Sequence, residues 1–245
     1  MDERRPRLSV KNLEKVYYTS RRFSNRRGRI IAVKNVSFDL YGDEILGLGG
    51  ASGSGKTTMA RCIAGCERPS GGVVLYNDTD VSAIGKKDIF NLRKKIQMIW
   101  QDPRNYLNPY MTVENIIKEP IDNYRAVAEK EKKRCVIELM RCVELDAALG
   151  GRRPHELSGG QCQRVAIARA LAVEPELLIC DEILNNLDVS LKIKILDLLL
   201  KLHKELQLAC IFITHDMSQI RYLCSEVIVM DAGEIVMRGR LRKSG

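Results

Sequence analysis

At 245 residues, 45% of them hydrophobic, the chain can bury a sizeable core and fits one large domain, or one domain carrying an inserted subdomain. No apolar run reaches the roughly 18 residues of a membrane span, and the opening "MDERRPRLSV" lacks the apolar core of a secretory signal, so a cytosolic chain is expected. The net charge of +9 would suit nucleic acid or an anionic membrane surface, but five arginines crowd into "RRFSNRRGR", residues 21–29; the excess reads as a solvated loop, and no nucleic-acid partner is expected.

In chain order, strand-like and helix-like segments alternate, which predicts an α/β core. "EILGLGG" is a short buried strand running into glycines, and "KTTMARCIAG" after it reads as a helix closed by Gly65. "GGVVLY" and "KIQMIWQ" are two further strands. From about Met111 to Gly150 the pattern becomes helical throughout, with "AVAEKEKKRCVIELMRCVEL" the plainest case, and this block reads as an inserted helical subdomain. Strands return in "ELLICDE", "ACIFITHD" and "EVIVM", with the amphipathic helix "LKIKILDLLLKLHKEL" between the first two. The turn "DAG" joins "EVIVM" to "EIVMRG" as a terminal hairpin. Eight cysteines form no CxxC pair and several lie inside apolar runs, where Cys behaves as a small buried hydrophobe, so structural thiols are expected rather than a metal or redox site.

The strongest chemical signal is "GGASGSGKTT". Gly50, Ala51, Ser52, Gly53, Ser54, Gly55, Lys56 and Thr57 fit G-x-x-x-x-G-K-[ST], with Thr58 following, and the motif falls between a strand and a helix as its mechanism requires. Successive backbone N–H groups can turn inward around phosphate oxygens where glycine permits it, and the helix dipole adds positive potential. Lys56 would reach the β- and γ-phosphates of a nucleotide, and the Thr57 hydroxyl would ligate Mg²⁺. In that setting the adjacent Asp181 and Glu182, ending a second buried strand, acquire roles: Asp181 holds the metal through its water shell, and Glu182 polarises the attacking water. An acidic pair standing alone would be only an exposed turn.

A third element narrows the class. "HELSGGQCQRVAIARAL" contains Ser158, Gly159, Gly160 and Gln161; Ser158 with Gln161 three later has the spacing of a helix-capping box, and the glycines leave the helix N-terminus open to a phosphate. Here the chain resembles the ATP-binding-cassette (ABC) ATPases, whose signature reads LSGGQ. The resemblance runs from about Leu8 to Gly239. It implies a P-loop NTPase core with an inserted α-helical subdomain, about residues 102–155, and an N-terminal antiparallel β portion, the whole forming one ATP-binding domain over residues 8–245. Tyr17 in "NLEKVYY" matches the aromatic that stacks on adenine, with Tyr18 beside it as the alternative. Gln101 matches the Q-loop glutamine that touches Mg²⁺, and His215 in "FITHD" the switch histidine that contacts the γ-phosphate.

In this family two cassettes pair head to tail, so Ser158 to Gln161 would act on a partner's ATP, and closure of the pair moves integral membrane subunits. The resemblance therefore implies a second cassette, two permease subunits and a solute-binding protein, with this chain peripheral on the cytoplasmic face of the cell membrane. "WQDPRNYLNPYMTV" and the loop Thr19 to Arg29 further resemble the oligopeptide, dipeptide and nickel importer branch. Many members of that branch continue into a cysteine-bearing tail, and its absence from this sequence fits the shorter, second-ATPase type of subunit. Other classes take up part of the pattern: an ATPase of a soluble enzyme complex such as phosphonate degradation, a nucleic-acid clamp, or a non-hydrolysing ATP switch. The first lacks permease partners, the second usually carries two cassettes, coiled coils or zinc modules, and the third releases no phosphate.

One segment departs from the family. The two acids are usually followed by Pro-Thr-Ser-Ala-Leu-Asp, and here stand Ile183, Leu184, Asn185, Asn186, Leu187 and Asp188. Proline fixes φ near −65°, so Ile183 is expected to give the segment more freedom. Asn185 and Asn186 add hydrogen-bonding groups to it. A working but slower ATPase, or a pair of unequal sites, is expected.

Overall fold

A computed structural model describes residues 5–19, 28–42, 44–85 and 88–241. Most of the basic run, residues 21–27, and most of the loop between Thr19 and Arg29 lie outside the described residues. In chain order the elements are β1 (Pro6–Thr19), β2 (Gly28–Tyr41), β3 (Ile45–Gly50), α1 (Lys56–Ile63), β4 (Gly71–Tyr76), β5 (Thr79–Asp80), α2 (Asp88–Lys95) and β6 (Ile96–Ile99). They continue as α3 (Val113–Tyr124), α4 (Glu129–Cys142), α5 (Gly159–Leu171), β7 (Leu177–Asp181), α6 (Val189–Leu206), β8 (Ala209–Ile213), α7 (Met217–Leu223), β9 (Glu226–Asp231) and β10 (Glu234–Arg240). They form two compact units, residues 1–93 with 209–245, and residues 94–208.

The first unit contains two sheets. An antiparallel sheet orders its strands β2-β1-β4-β5; in β2 the alternation of Val36, Phe38 and Leu40 inward with Ser37 and Asp39 between them supplies its buried face, joined by Leu8 and Val10 of β1. The second sheet places β3 between β8 and β9, both parallel to it, with β10 closing an antiparallel hairpin on β9. β3 and β8 are buried on both faces, which is why they read in sequence as continuous apolar runs. Leu48 pairs with Ile213, so the chain leaves these two neighbouring strands at the same level, with Gly50 on one side and His215 on the other. In open α/β sheets ligands bind beyond the carboxyl ends of the strands, where these residues stand.

In the second unit β6 and β7 pair in parallel. α3 and α4 bury Ile116, Ile117, Ile121, Val136 and Met140, while α6 turns Ile195, Leu198, Leu199 and Leu202 inward at helical spacing. All eight cysteines are free thiols; six are buried, and burial pushes Cys62 up to about 11 and Cys210 up to about 12. Among the described residues no helix is long and apolar enough to cross a membrane.

Candidate functional site

The phosphate loop leaves β3 at Gly50 and enters α1 at Lys56. Two of its glycines are required by close approach. Gly50 has φ +136° and a Cβ there would lie 2.1 Å from the Met230 carbonyl oxygen; Gly55 has φ +100° and a Cβ would lie 2.2 Å from that of Ala32. Both contacts come from elements that grip the loop from outside. The Gly233 N–H, in the turn between β9 and β10, donates to Ser54 O at 3.1 Å, while the Lys34 N–H of β2 donates to Gly233 O at 2.8 Å. The hairpin legible in "DAG" is thus a support for the phosphate loop. Its role there had no signal in the sequence, because the contact joins residues far apart in the chain.

Lys56 is 4% exposed, and its ammonium donates to Gly50 O at 2.9 Å, Ala51 O at 2.6 Å and Ser54 Oγ at 3.2 Å. A buried ammonium requires such acceptors, and these fix it against the loop that it would share with a phosphate. Thr57 and Thr58 occupy the first turn of α1, which contains no acidic residue, so no carboxylate there offsets the positive end of the helix dipole.

Tyr17 lies on the strand face that meets this helix, and Tyr18, on the opposite face, is 70% exposed. The Tyr17 hydroxyl donates to Glu67 Oε2 at 2.5 Å, and the Lys15 ammonium sits 5.1 Å from the ring centroid. Burial, then the bond to Glu67, raises the Tyr17 hydroxyl above its ordinary value. Burial also acts to raise Glu67, but the bonds from Tyr17 and Lys15 outweigh it and hold the carboxyl below the usual range. Glu67 was not foreseen; a side-chain pair 50 residues apart leaves no local pattern.

His215 follows β8 and is exposed, above a closed network of neighbours. Thr214 N–H donates to Leu48 O at 3.2 Å, its buried hydroxyl donates to Gln219 Oε1 at 3.0 Å, and Gln219 Nε2 donates to Asp216 Oδ2 at 3.0 Å. The Ser218 hydroxyl and N–H bond Asp216 Oδ1, which holds that carboxyl low and caps α7. The residues on both sides of the histidine are therefore fixed.

In the second unit, Asp181 ends β7 and is 4% exposed. Glu182 turns out of the strand with φ +49°, a left-handed conformation that few residues other than glycine adopt. Ser158 and Gln161 form the capping box that their spacing predicted: Ser158 Oγ accepts from Gln161 N–H at 3.3 Å, and Gln161 Oε1 accepts from Ser158 N–H at 2.9 Å. Gly159 and Gly160 let Leu187 and Leu191 approach, since Cβ atoms would lie 3.4 Å and 3.2 Å from these side chains. Arg104 donates to Leu157 O at 3.1 Å and so ties the turn after Gln101 to the segment before the helix. Gln101, Gly159, Asn185 and Asn186 line one cleft of about 360 Å³ in this unit.

Residues 33–185 match the model of the ABC transporter family. The chain belongs to that family. It is 42% identical over 231 residues to the oligopeptide transport ATP-binding protein OppF of Bacillus subtilis (strain 168), which spans 94% of this chain and 74% of that protein. It is 39% identical over 229 residues to the nickel import ATP-binding protein NikE of Escherichia coli O6:K15:H31, covering 94% of this chain and 85% of that protein. The solved dimeric, post-hydrolysis state of the ATP-binding cassette MJ0796 bound to ADP and Pi superposes with a TM-score of 0.86 at 31% identity, covering 96% of this chain and 99% of that one. The ABC cassette is thus a P-loop α/β ATPase with helical and antiparallel β portions, and an enzyme that hydrolyses ATP.

The segment in which this ABC cassette departs from the family's usual sequence is well packed. Ile183 and Leu184 are each 1% exposed, so packing holds the segment at the place where the family usually has proline. Asn185 Nδ2 donates to Glu182 Oε2 at 2.6 Å, a bond between neighbours in the turn that the sequence did not assign.

Proposed function

We propose that this chain is an ATP-hydrolysing subunit of an importer that takes up peptides or nickel and metal chelates. The observation that supports it most is identity of 39–42% across 94% of the chain to ATP-binding proteins of oligopeptide and nickel importers. It works as half of a head-to-tail cassette pair with a second ABC subunit, on two integral membrane permeases served by a solute-binding protein. It is peripheral to the cytoplasmic face of the membrane, and its helical subdomain, about residues 102–155, follows the permeases.

In this reading residues Gly50 to Thr58 cradle the phosphates, Lys56 pairs the β- and γ-phosphates, and Tyr17 stacks on adenine. The Thr57 hydroxyl, Gln101 amide oxygen and Asp181 carboxylate are hard oxygen donors of the kind Mg²⁺ takes. When bound, that ion neutralises charge developing on the phosphates. Glu182 accepts the proton of a water whose oxygen bonds to the γ-phosphorus as the bond from that phosphorus to the β–γ bridging oxygen breaks, releasing ADP and phosphate. His215 contacts the γ-phosphate, and Ser158 to Gln161 close over the partner's nucleotide through the open helix N-terminus.

Two measurements test it. Phosphate release by the purified complex with Mg²⁺ and ATP should fall sharply in Lys56→Ala and in Glu182→Gln; a turnover unchanged by Glu182→Gln would show the catalytic assignment wrong. Mild-detergent purification from its own cells should recover two polytopic membrane proteins and a second cassette. Recovery of soluble enzymes alone would end the importer reading.

A further inference from the structure

We propose that Asn185 is a positioning residue for hydrolysis, its side-chain amide holding the Glu182 carboxylate in the orientation from which it takes the proton of the attacking water. The proposal rests on the role of Glu182 given above. Three observations carry it. Asn185 closes the turn after β7 twice over: its backbone N–H donates to Glu182 O at 3.1 Å and its Nδ2 to Glu182 Oε2 at 2.6 Å. The same residue therefore fixes both the left-handed turn at Glu182 and the direction of its side chain. A short bond from an amide to an ionised carboxylate is charge-assisted and directional. A carboxylate offers about four lone-pair sites, so one bond of this kind leaves acceptor capacity for a water.

Second, the turn cannot relax to release the carboxylate cheaply. Ile183 and Leu184, between the two partners, are each 1% exposed, and Asn186 beyond them has φ +64°, which asparagine tolerates better than most residues. Third, Asn185 is half-buried and lines the cleft with Gln101 and Gly159, so it lies on the functional face of this unit. The serine usual at this place in the family reaches one bond less far than asparagine. Ile183 and Leu184, with Asn185, therefore act as one substitution: two apolar residues seat the turn, and an amide directs the acid.

The test is steady-state hydrolysis by the assembled complex carrying variants of this chain, with the catalytic acid of any different partner cassette replaced by glutamine so that turnover reports on this chain's site. Asn185→Ala should lower kcat roughly tenfold while KM for ATP stays within about twofold, because the bond orients the base and touches no ground-state contact. Asn185→Asp keeps the shape but sets a second carboxylate against Glu182. It also removes the N–H donor, so it should lower kcat at least as far as Asn185→Ala, again with KM for ATP and the melting temperature close to wild type. In a Glu182→Gln background, Asn185→Ala should have no further effect. If Glu182→Gln abolishes turnover but Asn185→Ala and Asn185→Asp leave kcat at the wild-type value, the role of Asn185 is overturned alone. A fall in kcat accompanied by an equal rise in KM and a lowered melting temperature would reduce it to a structural residue and overturn it too. If turnover survives Glu182→Gln, the reading of Glu182 itself fails, and this proposal with it.

Discussion

Tyr17, proposed above to stack on adenine, is held by a chain of side-chain contacts. Its hydroxyl is tied to Glu67, which is tied in turn to the Lys15 ammonium at 3.4 Å and to Arg61 at 3.3 Å, and Lys15 also donates to Arg68 O at 2.7 Å. The ring is therefore held before a base arrives. Immobilising a free side chain on binding costs about 0.5–1.5 kcal/mol, so Tyr17→Phe, which keeps the ring and loses the tether, should raise KM for ATP by about 2- to 10-fold. The chemical step should keep its kcat, since the tether acts before chemistry. An ATP titration of phosphate release reads both. Glu67→Gln should give part of the same rise, because a neutral amide still accepts from the hydroxyl but no longer attracts Lys15. The tyrosines at 17 and 18, equivalent in sequence, differ in place by strand alternation: the Tyr17 ring faces α1 and Tyr18 is 70% exposed.

At the scale of elements, the phosphate loop depends on backbone that glycine alone supplies. Gly55→Ala would place a Cβ 2.2 Å from Ala32 O at φ +100°, so it should lower unfolding stability by about 1–3 kcal/mol and abolish nucleotide binding, read by urea melts and nucleotide fluorescence. α3 and α4 are joined differently, by exposed ion pairs: Lys118 Nζ lies 2.6 Å from Glu129 and Lys132 Nζ 2.6 Å from Asp122. The bond from Lys118, then that from Lys132, holds the Glu129 carboxyl down to about 2 from an ordinary 4.5. Because the folded value is depressed, the stabilisation is full above about 4.5 and is lost as the pH falls toward about 2. Glu129→Gln should therefore melt slightly below wild type at neutral pH, and the two curves should converge near pH 2; the effect is small because the pairs are solvated. The elements legible in the sequence were those with one dominant pattern. β3, β7 and β8 are continuous apolar runs because parallel strands are covered on both faces, and α6 is amphipathic over 18 residues. The Ser158 capping box was legible because its partners are three residues apart. β1 was less so: its pairing with β2 shifts register around Leu13, and Asn12 has φ +48°, so the alternation slips and the N-terminal sheet was expected only from the family resemblance. The Glu182–Asn185 pair is also three apart, but nothing local told that Glu182 turns left-handed and so brings its side chain back over the turn.

For the whole molecule the decisive question is what closes over the nucleotide. The phosphate loop and the capped, glycine-bearing start of α5 are both present in one chain, and in the head-to-tail arrangement proposed above each would serve a nucleotide held with a partner. The segment at 183–186, by contrast, is this chain's own variant. A partner with the family's usual Pro-Thr-Ser-Ala would make the pair unequal: one site with an asparagine-directed acid, one without. A second copy of this chain would instead make two identical sites, so the identity of the partner decides whether the pair is equal. With Glu182 as the base proposed above, Glu182→Gln should keep phosphate binding and stop hydrolysis, so ATP should trap whatever pair forms, and Lys56→Ala should trap none. In light scattering, the Glu182→Gln chain alone with ATP should keep its 27.7 kDa mass and should pair only when the second cassette is co-expressed. A mass that doubles with ATP and this chain alone would instead make the transporter's motor a homodimer, with two identical Asn185-directed sites.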